Sequence, residues 1–488
     1  VSAPATRRAW IHGRTALLIA FAFSVMADPV SSVAYAIEAA LRELDGNLAL
    51  LLPAMGMVVL VVALVVTSYH QLVGRFPEGG GAAAATGKAF GDGLSFVPMG
   101  ALIVDFVLTI AISVSAGSSA LISYLPALAP YRLPLALGLL VVVAGLMWFG
   151  HLGRAVFALL TVIFLAAAVA VLVSALGAEP GAAQTATHAP GLFDGAPLAV
   201  ILAFPVAMAL ATGVEAPSSA IAQLAQLDDA GRRTFGRWAL WLTLGIVGTL
   251  TLAITAAVVA LGIHLPHEDS TLVADLARAV GTPAVFTLFQ AATALLLLSA
   301  ASSSFQAGPG LLKALARGEG SAHGVLPEPL GRTNSHHTPY VGVVLFLVLS
   351  GAVVIAADAR EPRLVLFYAV AVFVSFLMGL ASMAILAHRD GQRRWVALNV
   401  AAAIAVAFTL AMNVIRPAAL GSLAATALAA GVLYAAWVRA GRPRGAAHAV
   451  AEAEAGEAES AAGGEHAGEM SEETVSIPVR RAGARTRE

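Results

Sequence analysis

Twelve long apolar runs constrain this chain more than anything else in it. They lie at about 16–43, 48–68, 94–123, 133–149, 154–176, 197–223, 237–262, 283–316, 340–357, 362–387, 396–413 and 419–438. A helix needs about 20 apolar residues to cross the hydrocarbon core of a bilayer. Backbone amides at that depth must find partners inside the segment, and runs this long without strict alternation do so as helices. Hydrophobic residues make up 59% of the chain and charged residues 12%, where a water-soluble domain carries about 25% charge. The expected fold is all-α and polytopic, with 12 transmembrane helices. Three parts are expected: a cytoplasmic tail over 1–15, a transmembrane domain over 16–440 and a disordered cytoplasmic tail over 441–488. The last carries eight glutamates between 452 and 473 before it turns basic, a composition that cannot bury a core.

Charge placement sets the orientation. With the N-terminus inside, 18 of the 28 lysines and arginines fall on inside segments, six at outside ends and four in the final tail. This bias obeys the positive-inside rule. It predicts a multi-pass protein of the cytoplasmic membrane with both termini cytoplasmic. A polar break, not a small-residue cleavage site, follows the basic flank of Arg7, Arg8 and Arg14. The first run therefore reads as a retained helix.

Two runs are interrupted. The first contains Asp28-Pro29-Val30-Ser31-Ser32, and the sixth contains Glu215-Ala216-Pro217-Ser218-Ser219. Each has a carboxylate, a proline one or two residues later and a pair of serines. Proline removes a backbone donor and clashes with the preceding turn, so a break is expected at 28–32 and another around 212–219. The two occupy corresponding positions if helices 1–5 and 6–10 are repeats. Five spans is an odd number, so the second repeat would be inverted, and paired breaks in inverted repeats point to a transporter site at the midplane. Asp105 adds a third intramembrane acid, with Thr109 and Ser113 on the same helical face. Such oxygen-rich groups, with no lysine or arginine beside them, suit cations or protons. Taken singly, Thr109, Ser113 and Thr212 are also the kind of hydroxyl that bonds the preceding turn.

These residues resemble the amino acid–polyamine–organocation (APC) superfamily, and within it the potassium importers of the KimA type. The resemblance rests on ADPVSSVAYAIEAAL (27–41), FPEGGGAAAATGKAFG (76–91), LIVDFVLTIAISVSAG (102–117), ATGVEAPSSA (211–220) and LLLSAASSSFQAGPGLLKALARGEG (296–320). It implies a LeuT-type 5+5 inverted repeat with broken helices 1 and 6, and proton-coupled import. By matching position, Asp28, Tyr35, Asp105, Thr109, Ser113 and Thr212 would line the ion, with Ser31 and Ser32 at the same break. Potassium would sit at Asp28, Tyr35, Asp105 and Thr109, and Glu215 would couple the proton. The sequence departs from those importers at Phe106, where they usually carry tyrosine, and continues into an acidic tail in place of their large folded C-terminal domain. Amino-acid permeases of the same superfamily usually have bare glycines at the first break. Here Asp28-Pro29 would repel a carboxylate and offers no amide at Pro29, which favours a cationic ligand.

The leading expectation is thus uptake of a small cation, potassium first, with an amino acid or polyamine permease as the alternative and a channel or non-transporting sensor behind it. The coupling ion is a proton, with sodium as the second choice, and no cofactor is expected. Absence of cysteine excludes thiol chemistry and disulfides. Ser302-Ser303-Ser304 has no histidine base nearby, so no enzyme is expected. His264, His267, Glu268 and Asp269 read as solvated polar residues of an outer link. Expected partners are the substrate, the lipid bilayer and a second copy packed through helices 11 and 12; no basic patch points to nucleic acid.

Overall fold

The computed structural model describes residues 17–150, 154–178, 196–224, 226–317, 324–453 and 455, and the described residues form helices joined by short turns. In chain order the helices are α1 (Leu17–Glu43), α2 (Leu48–Arg75), α3 (Gly81–Phe90), α4 (Asp92–Tyr124), α5 (Arg132–Trp148), α6 (Arg154–Leu176), α7 (Ala196–Ala207), α8 (Ala216–Ala220), α9 (Asp229–Leu261), α10 (Leu272–Val280), α11 (Pro283–Arg317), α12 (Tyr340–Ala356), α13 (Glu361–Arg389), α14 (Arg393–Val414) and α15 (Pro417–Arg439). Among the described residues eleven spans are long and apolar enough to cross a membrane, with α7 and α8 together forming one of them. The shorter apolar helix α12, 17 residues long, stands where the ninth run predicts a span.

Burial sorts these helices into centre and rim. In α4, 72% of the most apolar stretch is buried inside the protein, against 22% in α14 and α15. So α4 forms the core, packed against α11, α13 and α15, while α14 and α15 turn Ile404 and Leu428 outward. Apolar side chains on an outer face suit lipid or a second copy.

Three expectations change. First, α1 is less broken than its sequence predicts. The one irregular residue is Met26, and residues 27–43 run as continuous helix through Asp28-Pro29. Proline is tolerated in a first helical turn, where its missing N–H is no loss. Ser31 Oγ and Ser32 Oγ donate to the Asp28 carbonyl at 2.7 and 3.3 Å, so their protons serve the turn while their oxygens keep acceptor lone pairs. Second, the stretch between the second and third apolar runs, where no helix is expected, contains a buried helix, α3, made almost wholly of Gly, Ala and Thr. Third, the tail is ordered where it begins. Ala446, Ala447, Ala449, Val450 and Ala453 are buried, most of them packed with Phe96, Met99, Leu311 and Leu315. The N-terminal tail and nearly all of the acidic segment lie outside the described residues.

The sixth span is a true break. After α7 comes a turn of 3-10 helix over Met208–Ala211, then Thr212 in extended conformation (φ −60°, ψ 141°). Gly213 follows at φ +67°, and α8 resumes the helix for five residues. Bare backbone at this depth survives because it is buried in protein.

Candidate functional site

The breaks of the two interrupted spans meet. A Cβ on Gly213 would lie 2.6 Å from Asp28 Oδ2, 2.8 Å from Pro29 Cδ and 3.0 Å from Asp28 Cβ. Only glycine combines that closeness with a left-handed φ. The carboxylate that opens α1 is therefore seated on the backbone of the break between α7 and α8. Its other oxygen, Asp28 Oδ1, is buried and accepts no hydrogen bond from the described residues. A buried carboxylate oxygen without a donor is costly unless a cation or a proton answers it.

Around this contact the sequence-predicted residues are gathered unevenly. Tyr35, two turns along α1, feels the charges of both Asp28 and Asp105, which brings the acid of α4 into the same neighbourhood. Its phenol is 2.9 Å from Ser32 Oγ. Thr109 and Ser113 follow Asp105 along the same buried face of α4, and the Ser113 hydroxyl makes no hydrogen bond. Thr212 Oγ1 donates to the Ala209 carbonyl at 2.6 Å, so it closes its own turn. Ser31, Ser32 and Thr212 are thus present at the site with their hydroxyl protons already committed to carbonyls or, for Ser32, shared with Tyr35.

Glu215, two residues after Gly213, feels the charge of Asp28. Its Oε2 accepts from Tyr69 of α2 at 3.2 Å and from Ser375 of α13 at 3.4 Å. Neither Asp28 nor Glu215 has an ion-pair partner among the described residues. Sequence reasoning missed Tyr69 and Ser375. The second run was read as ending near 68, because Ser68-Tyr69-His70-Gln71 looks like an exit into water. Instead α2 continues to Arg75, and Ser68 donates to Asn399 at 2.5 Å in the interior. Ser375 is a lone hydroxyl in an apolar run, with no local signal.

The site is fully buried on one side and partly exposed on the other. Every residue from Pro29 to Leu41 is buried, whereas Asp28, Gly213, Glu215 and Ser219 keep part of their surface accessible, as do Phe23 and Val25 toward the start of α1. A second polar cluster seals the buried side. Glu38 is 4% exposed; its Oε1 accepts from Arg42 Nε and Nη2 at 2.9 and 2.7 Å, and its Oε2 from the Leu272 amide at the start of α10 at 3.0 Å. Glu361 of α13 accepts from Ser119 of α4 at 2.7 Å. Arg132 donates to Ser119 at 2.5 Å and lies 3.9 Å from Glu361. Further out, Arg360 pairs with Glu268 at 2.7 Å, and this guanidinium holds the Glu268 carboxyl below its ordinary range. Among the described residues no group of three or more His, Cys, Asp or Glu is placed to hold a metal ion.

Comparison with known proteins adds three findings. The chain is 29% identical over 388 residues to the protein named potassium transporter KimA of Bacillus subtilis (strain 168). That match covers 76% of this chain and 61% of the relative, so the chain spans about three-fifths of the length of the relative it matches. A crystal structure of a mutant manganese transporter of Eremococcus coleocola superposes with a TM-score of 0.45 at 13% identity, covering 86% of this chain and 92% of that one. A family model described as amino acid permease matches residues 17–437, and the chain belongs to that family, within the APC superfamily.

Proposed function

We propose that this chain is a secondary transporter of the cell membrane that takes up a small cation, potassium first, driven by protons. The observation that carries the reading is Asp28 at the break, with Oδ2 against Gly213 and Oδ1 buried without a donor among the described residues, while Tyr35 feels the charges of both Asp28 and Asp105. A carboxylate in an apolar core pays desolvation, and acids that share a site repel one another. A cation between them, or a proton on one, relieves both penalties. An amino acid's carboxylate would worsen them. The name of the Bacillus relative favours potassium.

Glu215 is the proton-coupling candidate in this reading. It is next to Asp28 electrically but bonded to α2 and α13, so its protonation state is tied to helices that do not hold the ligand. Alternating access then follows as one bundle rocks against the other around the paired breaks of an inverted repeat. The buried outer half of α1 and the accessible Asp28 and Glu215 support an inward-facing arrangement, with the Glu38 and Glu361 clusters as the outer closure. Positive-inside placement supports cytoplasmic termini, and the apolar faces of α14 and α15 support a homodimer.

A second reading follows from the family's own description, amino acid permease: the non-helical backbone at Thr212-Gly213 would face an amine or amino acid. Uptake into proteoliposomes decides between them. Potassium, rubidium, sodium, neutral and basic amino acids and polyamines are supplied with and without an inward proton gradient. Saturable, gradient-dependent potassium or rubidium uptake supports the proposal. Ohmic flux indifferent to pH makes the protein a channel, and amino acid uptake without cation uptake overturns the cation reading.

A further inference from the structure

We infer that the arginine-rich side of the protein holds a built site for the phosphate of an anionic phospholipid, between α2, α9 and the turn joining α13 to α14. A cavity of about 390 Å³ opens there, lined by His70, Gly74, Arg75, Arg237, Asp390 and Trp395, among others. Its chemistry is cationic. Arg75 is neutralised by an ion pair with Asp390. Arg237 is not: its Nε donates to the His70 carbonyl at 3.2 Å, and it forms no ion pair with any carboxylate among the described residues. The guanidinium lies across Gly74, where an added Cβ would stand 2.0 Å from Nη2. The missing side chain at Gly74 is what lets the planar group lie flat at the cavity with its Nη donors left over. A guanidinium so placed is matched to the paired oxygens of a phosphate.

The surroundings point to a lipid as the source of that phosphate. Trp238 is 63% and Trp241 42% exposed on the outer face of α9, and Trp241 Nε1 donates to His70 Nδ1 at 3.0 Å. Trp395 lines the same cavity. Indoles with an apolar body outward and a bonded N–H belong at the membrane–water boundary. A soluble anion has no need of such a frame; a headgroup whose chains lie along α9 does. Basic pockets between helices on the arginine-rich side are where anionic headgroups collect.

The site also touches the transport machinery. A Cβ on Gly236, the residue before Arg237, would lie 2.6 Å from Ile221 Cγ2 and 3.8 Å from the Pro217 carbonyl. The turn that would hold the headgroup is the turn that supports α8, the inner arm of the break. A bound lipid therefore braces the half-helix beside Glu215.

The test uses the full chain in lipid nanodiscs of equal phosphatidylglycerol and phosphatidylcholine, with retained lipid counted by native mass spectrometry. Wild type should retain phosphatidylglycerol in several-fold excess, and Arg237→Gln should bring the ratio close to one. A variant with undiminished enrichment overturns the proposal. Should that variant fail to fold, thermal unfolding of wild type in detergent decides. Phosphatidylglycerol should raise the midpoint where phosphatidylcholine and inorganic phosphate do not. Equal shifts with phosphatidylcholine, or with inorganic phosphate, overturn the lipid assignment.

Discussion

Gly213 is where the two breaks are locked together, and Gly213→Ala measures that lock. Two costs are visible. The first is conformational: φ is +67°, and a left-handed backbone costs an L-residue about 1–2 kcal/mol. The second is steric. The new methyl would stand 2.6 Å from Asp28 Oδ2, 2.8 Å from Pro29 Cδ and 3.0 Å from Asp28 Cβ; the carboxylate tip can swing, but the proline ring and the Cβ cannot. Forcing one extra carbon into a packed site costs about 1–3 kcal/mol. Together the variant should be about 2–5 kcal/mol less stable by these two costs. It should also lose transport, because relief of the clash pushes Asp28 off the break. Gly245→Ala is the control, since a methyl there meets nothing within 4 Å and the residue is helical; it should be neutral or gain about 0.5–1 kcal/mol from propensity. Unfolding in detergent, followed by tryptophan fluorescence, reads both variants, and uptake reads function. Wild-type stability together with wild-type uptake for Gly213→Ala would refute the contact.

Further predictions concern the groups around this lock. Tyr69→Phe removes the 3.2 Å bond to Glu215, worth about 1.5–3 kcal/mol to a charged acceptor, and should shift the pH dependence of uptake while leaving saturating uptake of the cation measurable; an unchanged pH profile would disconnect Tyr69 from coupling. Glu38→Ala strips the Leu272 amide of its acceptor at a cost of about 1–3 kcal/mol. Hydrogen exchange at 272–276 should quicken while α11 stays protected, and identical exchange would remove Glu38 from the outer closure. The Glu268–Arg360 pair has its own pH signature. Glu268 is depressed by Arg360, so its stabilisation is complete above the ordinary carboxylate pKa of about 4.3 and is lost as pH falls through the lower folded value. Stability curves of wild type and Glu268→Gln should run parallel from about pH 5 to 8 and converge only in acid. Divergence near neutrality would contradict this.

The helices were legible because lipid imposes one simple demand, a long apolar run. Errors came where a polar residue has an interior partner. The second helix was cut short at Ser68-Tyr69-His70-Gln71, although all four stay helical, with Ser68 on Asn399, Tyr69 on Glu215 and Gln71 on Gln392. The seventh span starts eight residues earlier than its apolar run, because Asp228 caps it by accepting from the Gly231 amide. The pairing of Asp28 with Glu215 was readable from two matched strings. That α1 bends at Met26 was not, because the sequence shows a proline but not its place within a turn. The ordered start of the tail was hidden for a different reason: alanines such as Ala447, set against Gly87, carry no periodic signal of burial.

The central claim is that Asp28 answers a cation across the break. Its most direct test is rubidium uptake by Asp28→Asn in proteoliposomes, with the variant shown to be folded by its unfolding midpoint. The amide keeps the shape beside Gly213 and removes the charge. The account predicts uptake abolished in a folded protein. A folded Asp28→Asn that still accumulates rubidium at the wild-type rate would contradict it.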